Sequence, residues 1–327
     1  MRYGLVKCSE FSLSSTPPIK VLYIAGWGRS GSTLLSSVLG SIPGFFAAGE
    51  LAFLWQALMH PGWRCGCGTP LIECATWSRI FHHAFGGLAL APLTRMPVAV
   101  EHLLNKRRHG WRVLTPPLKA GPEEAFGLEQ IGKLYRGIVE ATGARVIVDS
   151  SKIPLYGTWL RQVPGLDVHF LHLIRDPRAV AYSWSREKEN LSGGGDVHLH
   201  RHSTTQSAVR WIGVNQLFRL MRHTQRGRYF YMRYMDFLGN PRGYVDRILR
   251  WVGEPEAANP VTPEHHINLA VPHLAFGNPG RFRHGDTTLS IRTEWRTELP
   301  AGDRRWITTL CAPWMLRYGY PLRTPRP

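Results

Sequence analysis

The sequence predicts an α/β protein, a P-loop-like three-layer α/β/α fold around a central parallel sheet. Apolar, β-branched runs alternate with helix-like stretches along the 327 residues, from Val21 to the last helix. Two of those runs, 21–25 and 168–174, pass directly into segments that read as a turn followed by a helix start. Hydrophobic residues make up 43% of the chain and it holds 12 tryptophans, ample for a large core. Residues 1–19 read as a disordered lead-in, and 20–327 as one domain with an insertion at about 61–122.

In chain order, 21–25 is a buried strand and Ser32 opens a helix that runs to about Gly40. Between them Gly26, Gly31, Ser32 and Thr33 keep the spacing of a phosphate-cradling loop, with Ser32 where nucleotide hydrolases carry a lysine. Loop amides and the positive end of the helix both favour an anion there, and Arg29 is the replacement cation. Residues 41–50 read as a turn-rich crossing through Pro43 and Gly44, and 51–59 as a short helix. Residues 61–122 lack regular patterning. A helix over 125–142 ends at Gly143, a strand covers 145–149, and 156–163 is helical. After the strand 168–174, Pro177 suits a first helical turn because its missing N–H would have no partner. Arg175 therefore leaves the strand end and Ser183 lies about two turns into the helix, where a guanidinium and a hydroxyl can share one phosphate. A glycine-rich loop ends at His202, and a long helix covers 204–226. A strand spans 228–234 and a mostly helical stretch 236–252. Residues 255–290 show no periodicity, and the last helix spans 303–318.

Gly28-Arg-Ser-Gly-Ser-Thr-Leu-Leu35 resembles the 5′-phosphosulfate loop of sulfotransferases that use 3′-phosphoadenosine 5′-phosphosulfate (PAPS). Arg175-Asp-Pro-Arg-Ala-Val-Ala-Tyr-Ser183 resembles their 3′-phosphate motif. Asp149-Ser-Ser-Lys152, Trp211 with Asn215, and Gly277-Asn278-Pro-Gly-Arg281-Phe282 look like further parts of that family, which includes carbohydrate and tyrosylprotein types. The resemblance implies PAPS as donor, its bisphosphate PAP as product, and no required metal. It implies donor contacts from Gly28, Arg29, Ser30, Gly31, Ser32, Thr33, Arg175, Ser183, Asn278 and Arg281, with Lys152 near the bridging oxygen. An acceptor hydroxyl needs a base within hydrogen-bond reach, and Glu50 stands where related enzymes place a glutamate. A histidine base and a helix-capping role for Glu50 are the alternatives. The acceptor expected is a hydroxyl of a glycan, lipid or small metabolite. The competing enzyme reading is an ATP-dependent small-molecule kinase with a degenerate P-loop, and the competing non-enzyme reading is a basic binding module.

A formal charge of +17 predicts a strong positive field, suited to an anionic donor and to peripheral contact with an anionic membrane. Basic residues are scattered rather than striped with aromatics, so nucleic acid is not an expected partner. No stretch approaches the ~18 apolar residues of a membrane span, and the first 20 residues lack a signal-peptide core. A cytoplasmic, bacterial enzyme is the expectation. Cys65, Cys67 and Cys74, with His82 or His83 near in sequence, have ligand types that suit zinc. Their spacing is not a usual zinc pattern, so a structural hairpin with no metal is expected. His198, His200 and His202 read as a lid over the acceptor, and acceptor specificity is assigned to 61–122 and 191–203.

Overall fold

Five parallel strands form the central sheet of the computed structural model, which describes residues 17–186, 202–224 and 227–323. They are β1 (Ile19–Ala25), β2 (Phe45–Gly49), β3 (Val146–Asp149), β4 (Leu166–Ile174) and β5 (Tyr229–Arg233), in the spatial order β2-β3-β1-β4-β5. Neighbours pair in register with Tyr23 opposite Asp149 and Phe170, and Ile174 opposite Arg233.

Alternate residues of each inner strand enter different cores, because successive side chains of a strand point to opposite faces. Val21, Tyr23, Ile147, Val168 and Phe170 join Ile131, Leu134, Tyr135, Leu155 and Trp159 on one side. Leu22, Ile24, Val146, Val148, Leu171 and Leu173 join Leu35, Val38, Leu39, Val245, Ile248 and Leu249 on the other. With both faces covered, β1 shows no polar alternation, as expected of a strand inside a parallel sheet. The result is the three-layer α/β/α fold that the alternating pattern predicts. A third core, with Val180, Trp211, Ile307, Cys311 and Met315, packs the helices Pro177–Ser185, Thr204–Met221 and Ala301–Arg317 together.

The chain leaves β1 toward β2 on one side, and leaves β4 toward β5 on the other. β1 and β4 are adjacent, so the strand order reverses between their carboxyl ends. Open parallel sheets bind ligands in the crevice at such a switch point. Both phosphate-type motifs begin there.

Several segments differ from the sequence reading. Residues 45–49, expected within a turn-rich crossing, form edge strand β2; the run Phe-Phe-Ala-Ala-Gly is short and mostly buried, so it carries no period-2 signal. The stretch expected to be irregular holds helices Ala75–Phe85 and Met96–Leu103. Trp77, Ile80 and Phe81 anchor the first of these in the same core as β1. The stretch 236–252 is broken into Tyr234–Gly239 and Pro241–Val252, with Asn240 capping the second through Gly243 N–H at 2.9 Å. Residues without periodicity contain an antiparallel pair, β6 (His266–Leu269) and β7 (Gly285–Thr288). No helix among the described residues is long and apolar enough to cross a membrane. The lead-in up to residue 16, and His198 and His200 of the expected lid, lie outside the described residues.

Candidate active site

All five parallel strands deliver a residue of interest at their carboxyl ends. After β1 the backbone turns through Gly26 (φ 132°), Arg29 (φ 66°) and Gly31 (φ 97°) into the helix Ser32–Gly40. Gly31 is required twice over: its φ is left-handed, and a Cβ there would lie 2.2 Å from the Tyr234 ring. A Cβ on Gly28 would lie 2.7 Å from the Trp184 indole. Two aromatic side chains thus press on a backbone that only glycine fits. The first helical amides have no partner one turn back, so Ser32, Thr33 and Leu34 present donors and the positive helix end to whatever lies in front of them.

What lies in front is a cavity of about 430 Å³. Gly28, Arg29, Gly31, Ser32, Thr33 and Leu34 line it, with Ser183 and Trp184 from the helix after β4. Glu50 follows β2, Lys152 follows β3, and Tyr234 follows β5; all three also line it. The late loop adds Phe276, Gly277, Asn278, Arg283 and Arg292. Four cationic side chains (Arg29, Lys152, Arg283, Arg292) therefore face one carboxylate, Glu50. That balance, with the helix amides and the hydroxyls of Ser32, Thr33 and Ser183, fits a multiply charged anion.

Glu50 and Lys152 form an ion pair at 2.7 Å, with both side chains largely buried. Lys152 itself sits at a left-handed φ of 62° and donates to the Ser150 carbonyl. The turn holding it is built by Asp149, whose carboxylate accepts from Ser151 N–H at 2.8 Å and from Tyr135 Oη at 2.5 Å. Ser151 Oγ also donates to Asp149 and accepts from Ala52 N–H at 3.0 Å, which ties the Lys152 turn to the segment following Glu50. Burial pushes the Asp149 carboxyl up to about 6, against these hydrogen bonds. Asp149 is fully buried and absent from the cavity wall, so it organises the turn and is not placed to hold a nucleotide-bound metal. Arg29 stacks 4.7 Å over Trp184; burial lowers its pKa and the Glu50 charge opposes that shift.

Some expected contacts are placed differently. Ser30 is 2% exposed and lies behind the loop, outside the cavity wall, its Oγ without a partner among the described residues. Arg175 lines a neighbouring cavity of about 220 Å³, with which the first shares Arg292. Its guanidinium donates to the Arg29 carbonyl at 3.1 Å and stacks 5.1 Å over Tyr234, so it braces the loop from the side. Arg281, expected as an anion contact, is fully buried and donates to Gly277 O at 2.8 Å and Arg64 O at 3.0 Å. The 3₁₀ turn Pro279–Phe282 points Arg281 inward and leaves Arg283 on the cavity wall. Trp211 is buried and donates to the Arg175 carbonyl at 2.9 Å, fixing the end of β4.

Sequence reasoning missed Tyr234, Trp184 and Arg292 as wall residues, and it missed His172. Ser183 was named while its neighbour Trp184 passed unremarked; Arg292 follows a stretch without periodicity and carried no signal. His172 on β4 is fully buried, its Nε2–H donating to Asn215 Oδ1 at 3.0 Å and its Nδ1 accepting from Tyr229. Burial pulls it down to about 4. It ties β4 to the helix Thr204–Met221 and does not reach the cavity.

No family model matches the chain. In sequence it is 24% identical over 169 residues to carbohydrate sulfotransferase 4 of Mus musculus, covering 48% of this chain and 43% of that protein. It is 24% identical over 181 residues to carbohydrate sulfotransferase 6 of Homo sapiens, covering 48% of this chain and 42% of that protein. The chain thus matches less than half the length of either relative. In structure it is similar to the sulfotransferase domain from the curacin biosynthetic pathway, with a TM-score of 0.50 and 18% identity over 94% of this chain and 99% of that one. The shared fold is the three-layer α/β/α arrangement described above, which that sulfotransferase domain also has. Sequence and fold together support the sulfotransferase family that the two motifs imply.

Proposed function

We propose that the chain is a PAPS-dependent sulfotransferase that moves a sulfuryl group to a hydroxyl of a glycan, lipid or small metabolite. The single observation that carries this reading is that the β1 loop and Ser183, from neighbouring strands, line the same cavity. A 3′,5′-bisphosphorylated adenosine needs two anion sites within the span of one nucleotide, and the meeting of both segments at the switch point between β1 and β4 supports that reading. The cavity volume falls within the ~300–1,000 Å³ usual for small-molecule sites.

PAPS would supply the sulfuryl group and a phosphate leaving group. The amides of Ser32, Thr33 and Leu34 and the Arg29 guanidinium would hold the 5′ end, and Ser183 the 3′-phosphate. Asn278 and Arg283 would complete the wall from the late loop. Glu50 would take the acceptor's hydroxyl proton. Lys152, 2.7 Å from Glu50, orients that carboxylate and offers positive charge where a leaving phosphate oxygen develops its own. Fixed cations and amides stabilise such charge without reorganising, which is the largest contribution in many enzymes. The relatives named above, both carbohydrate sulfotransferases, favour a sugar hydroxyl as acceptor.

Supplying sulfur-labelled PAPS with an extract of the source cells, then identifying the labelled product by mass, tests the reading. A labelled product that disappears with Glu50→Gln is expected. Phosphoryl transfer from ATP–Mg²⁺ with none from PAPS would replace the reading with a kinase.

A further inference from the structure

Away from the cavity wall, three cysteines and a histidine from two distant parts of the chain converge. Cys65 and Cys67 sit on a tight hairpin, closed by the antiparallel bridge of Arg64 with Pro70 and by Gly68 N–H to Cys65 O at 2.9 Å. Cys74 follows just before the helix Ala75–Phe85. His273 arrives from the late loop, 199 residues further on. The four ligand atoms all lie within 4.8 Å of one another. His82 and His83, the histidines near in sequence, are instead exposed on the helix.

From this convergence we propose that Cys65, Cys67, Cys74 and His273 form a structural zinc site of Cys₃His type. Three of the six ligand–ligand distances match the edges of one tetrahedron, and all six lie within 4.8 Å. With Zn–S near ~2.3 Å and Zn–N near ~2.0 Å, the edges of a tetrahedron come to about 3.8 Å for S···S and about 3.5 Å for S···N. Cys67 Sγ and Cys74 Sγ are 3.7 Å apart, and His273 Nδ1 is 3.4 Å from Cys74 Sγ and 3.8 Å from Cys65 Sγ. The same 3.7 Å is far beyond a disulfide, whose sulfurs sit ~2.0 Å apart. The outer groups are arranged as metal ligands require. His273 Nε2 lies 3.3 Å from Thr76 Oγ1, which fixes the ring with Nδ1 toward the sulfurs, and Trp77 Nε1 donates to the His273 carbonyl at 2.8 Å. Thr69 Oγ1 is 3.1 Å from Cys67 Sγ. Cys65 is fully buried and Cys74 is 2% exposed, while Cys67 is half-buried, so two of the three ligated thiolates would be shielded from solvent.

The site has a task that the fold makes visible. His273 opens the segment whose later residues, Phe276, Gly277, Asn278 and Arg283, wall the active-site cavity. Hairpin and late loop are already in close contact: Gly66 N–H donates to Leu274 O at 3.0 Å, and a Cβ on Gly66 would lie 2.9 Å from Pro272 O. A metal at this junction clamps the cavity wall to the 61–122 region. Binding releases one proton for each thiol that was protonated, leaving a complex of net charge −1 with neutral imidazole.

The test is metal analysis of the full chain, produced in zinc-supplemented cells and purified under reducing conditions without a metal-affinity column. About one zinc per chain is expected. X-ray absorption at the zinc edge should show three sulfurs near ~2.3 Å and one nitrogen near ~2.0 Å. Cys67→Ser and His273→Ala should lose zinc to a chelator at least about tenfold more readily, while Cys311→Ser, in a separate core, should retain it. Since the ligand variants can also fail to fold, cobalt titration of the wild-type chain is the second measurement. Intense tetrahedral cobalt bands with thiolate charge transfer, displaced by zinc, support the site. Less than about a tenth of an equivalent of zinc together with no tetrahedral cobalt spectrum would overturn it. So would a Cys67–Cys74 disulfide in the freshly isolated chain, or zinc bound only by oxygen and nitrogen. None of these outcomes depends on sulfate transfer, so they stand or fall separately from the proposed activity.

Discussion

Glu50 and Lys152 are the pair on which the proposed chemistry turns. Glu50→Gln removes the proton acceptor but keeps the shape, so turnover should fall by about 10²–10⁴-fold while PAP affinity holds within about threefold. Steady-state kinetics beside calorimetry separate the two effects, and unchanged turnover would move the base elsewhere. Arg29→Ala removes charge from the loop and should lower turnover by at least about tenfold. Gly31→Ala probes the backbone: the added methyl meets Tyr234 at 2.2 Å and a φ of 97° that only glycine accepts readily. Overpacking of that kind costs about 1–3 kcal/mol before the strained φ is counted. Thermal unfolding of the variant should show a clear drop, with PAP binding lost. At this scale the sequence was legible where function is local. Gly28, Arg29, Gly31, Ser32, Thr33 and Ser183 could be named as residues that share one cavity wall, because loop chemistry and spacing are written in consecutive residues, while Ser30 of the same run lies behind the loop. Arg281 was expected as the anion contact in preference to Arg283, but a single 3₁₀ turn points Arg281 inward and leaves Arg283 on the cavity wall.

Elements are held in place by buried polar ties, and one of them predicts a pH response. His172 joins β4 to the helix Thr204–Met221 through Asn215. Its folded value of about 4 lies below the ordinary 6.5. Below pH 6.5 the unfolded chain takes up a proton that the folded chain refuses, so stability is lost as pH falls from about 6.5 to about 4. The shift corresponds to about 3 kcal/mol at the lower end. Asp149 acts with the opposite sign: its folded value of about 6 lies above the ordinary 3.8, so between those pH values the folded chain binds the extra proton. Denaturant titrations from pH 4 to 7 should therefore show a weaker loss of stability toward acid in His172→Gln than in the wild type. An identical slope would deny His172 that part. These ties were invisible in the sequence because Tyr135 and Asp149, or His172 and Asn215, meet only through packing of separate elements. Strand β2 was hidden for a related reason: burial removed the alternation that marks a strand.

At the level of the whole molecule, the strand order does the positioning. The two motifs proposed to hold phosphates, about 150 residues apart in sequence, are brought to the neighbouring strands β1 and β4, at the switch point where parallel sheets open a crevice. That juxtaposition was expected from the motifs, whereas the convergence of Cys74 with His273 was not, since nothing local links a hairpin to a loop so far along the chain. The field of a chain with net charge +17 should make donor binding fall with added salt. Calorimetry with PAP is the most direct measurement of the central claim. PAP should bind without added metal, and adenosine 5′-phosphate, which lacks the 3′-phosphate, should bind at least about tenfold more weakly; Ser183→Ala should narrow that gap. Binding of ATP–Mg²⁺ but not of PAP, or equal affinity for PAP and adenosine 5′-phosphate, would contradict a cavity built to hold both ends of one bisphosphorylated nucleoside.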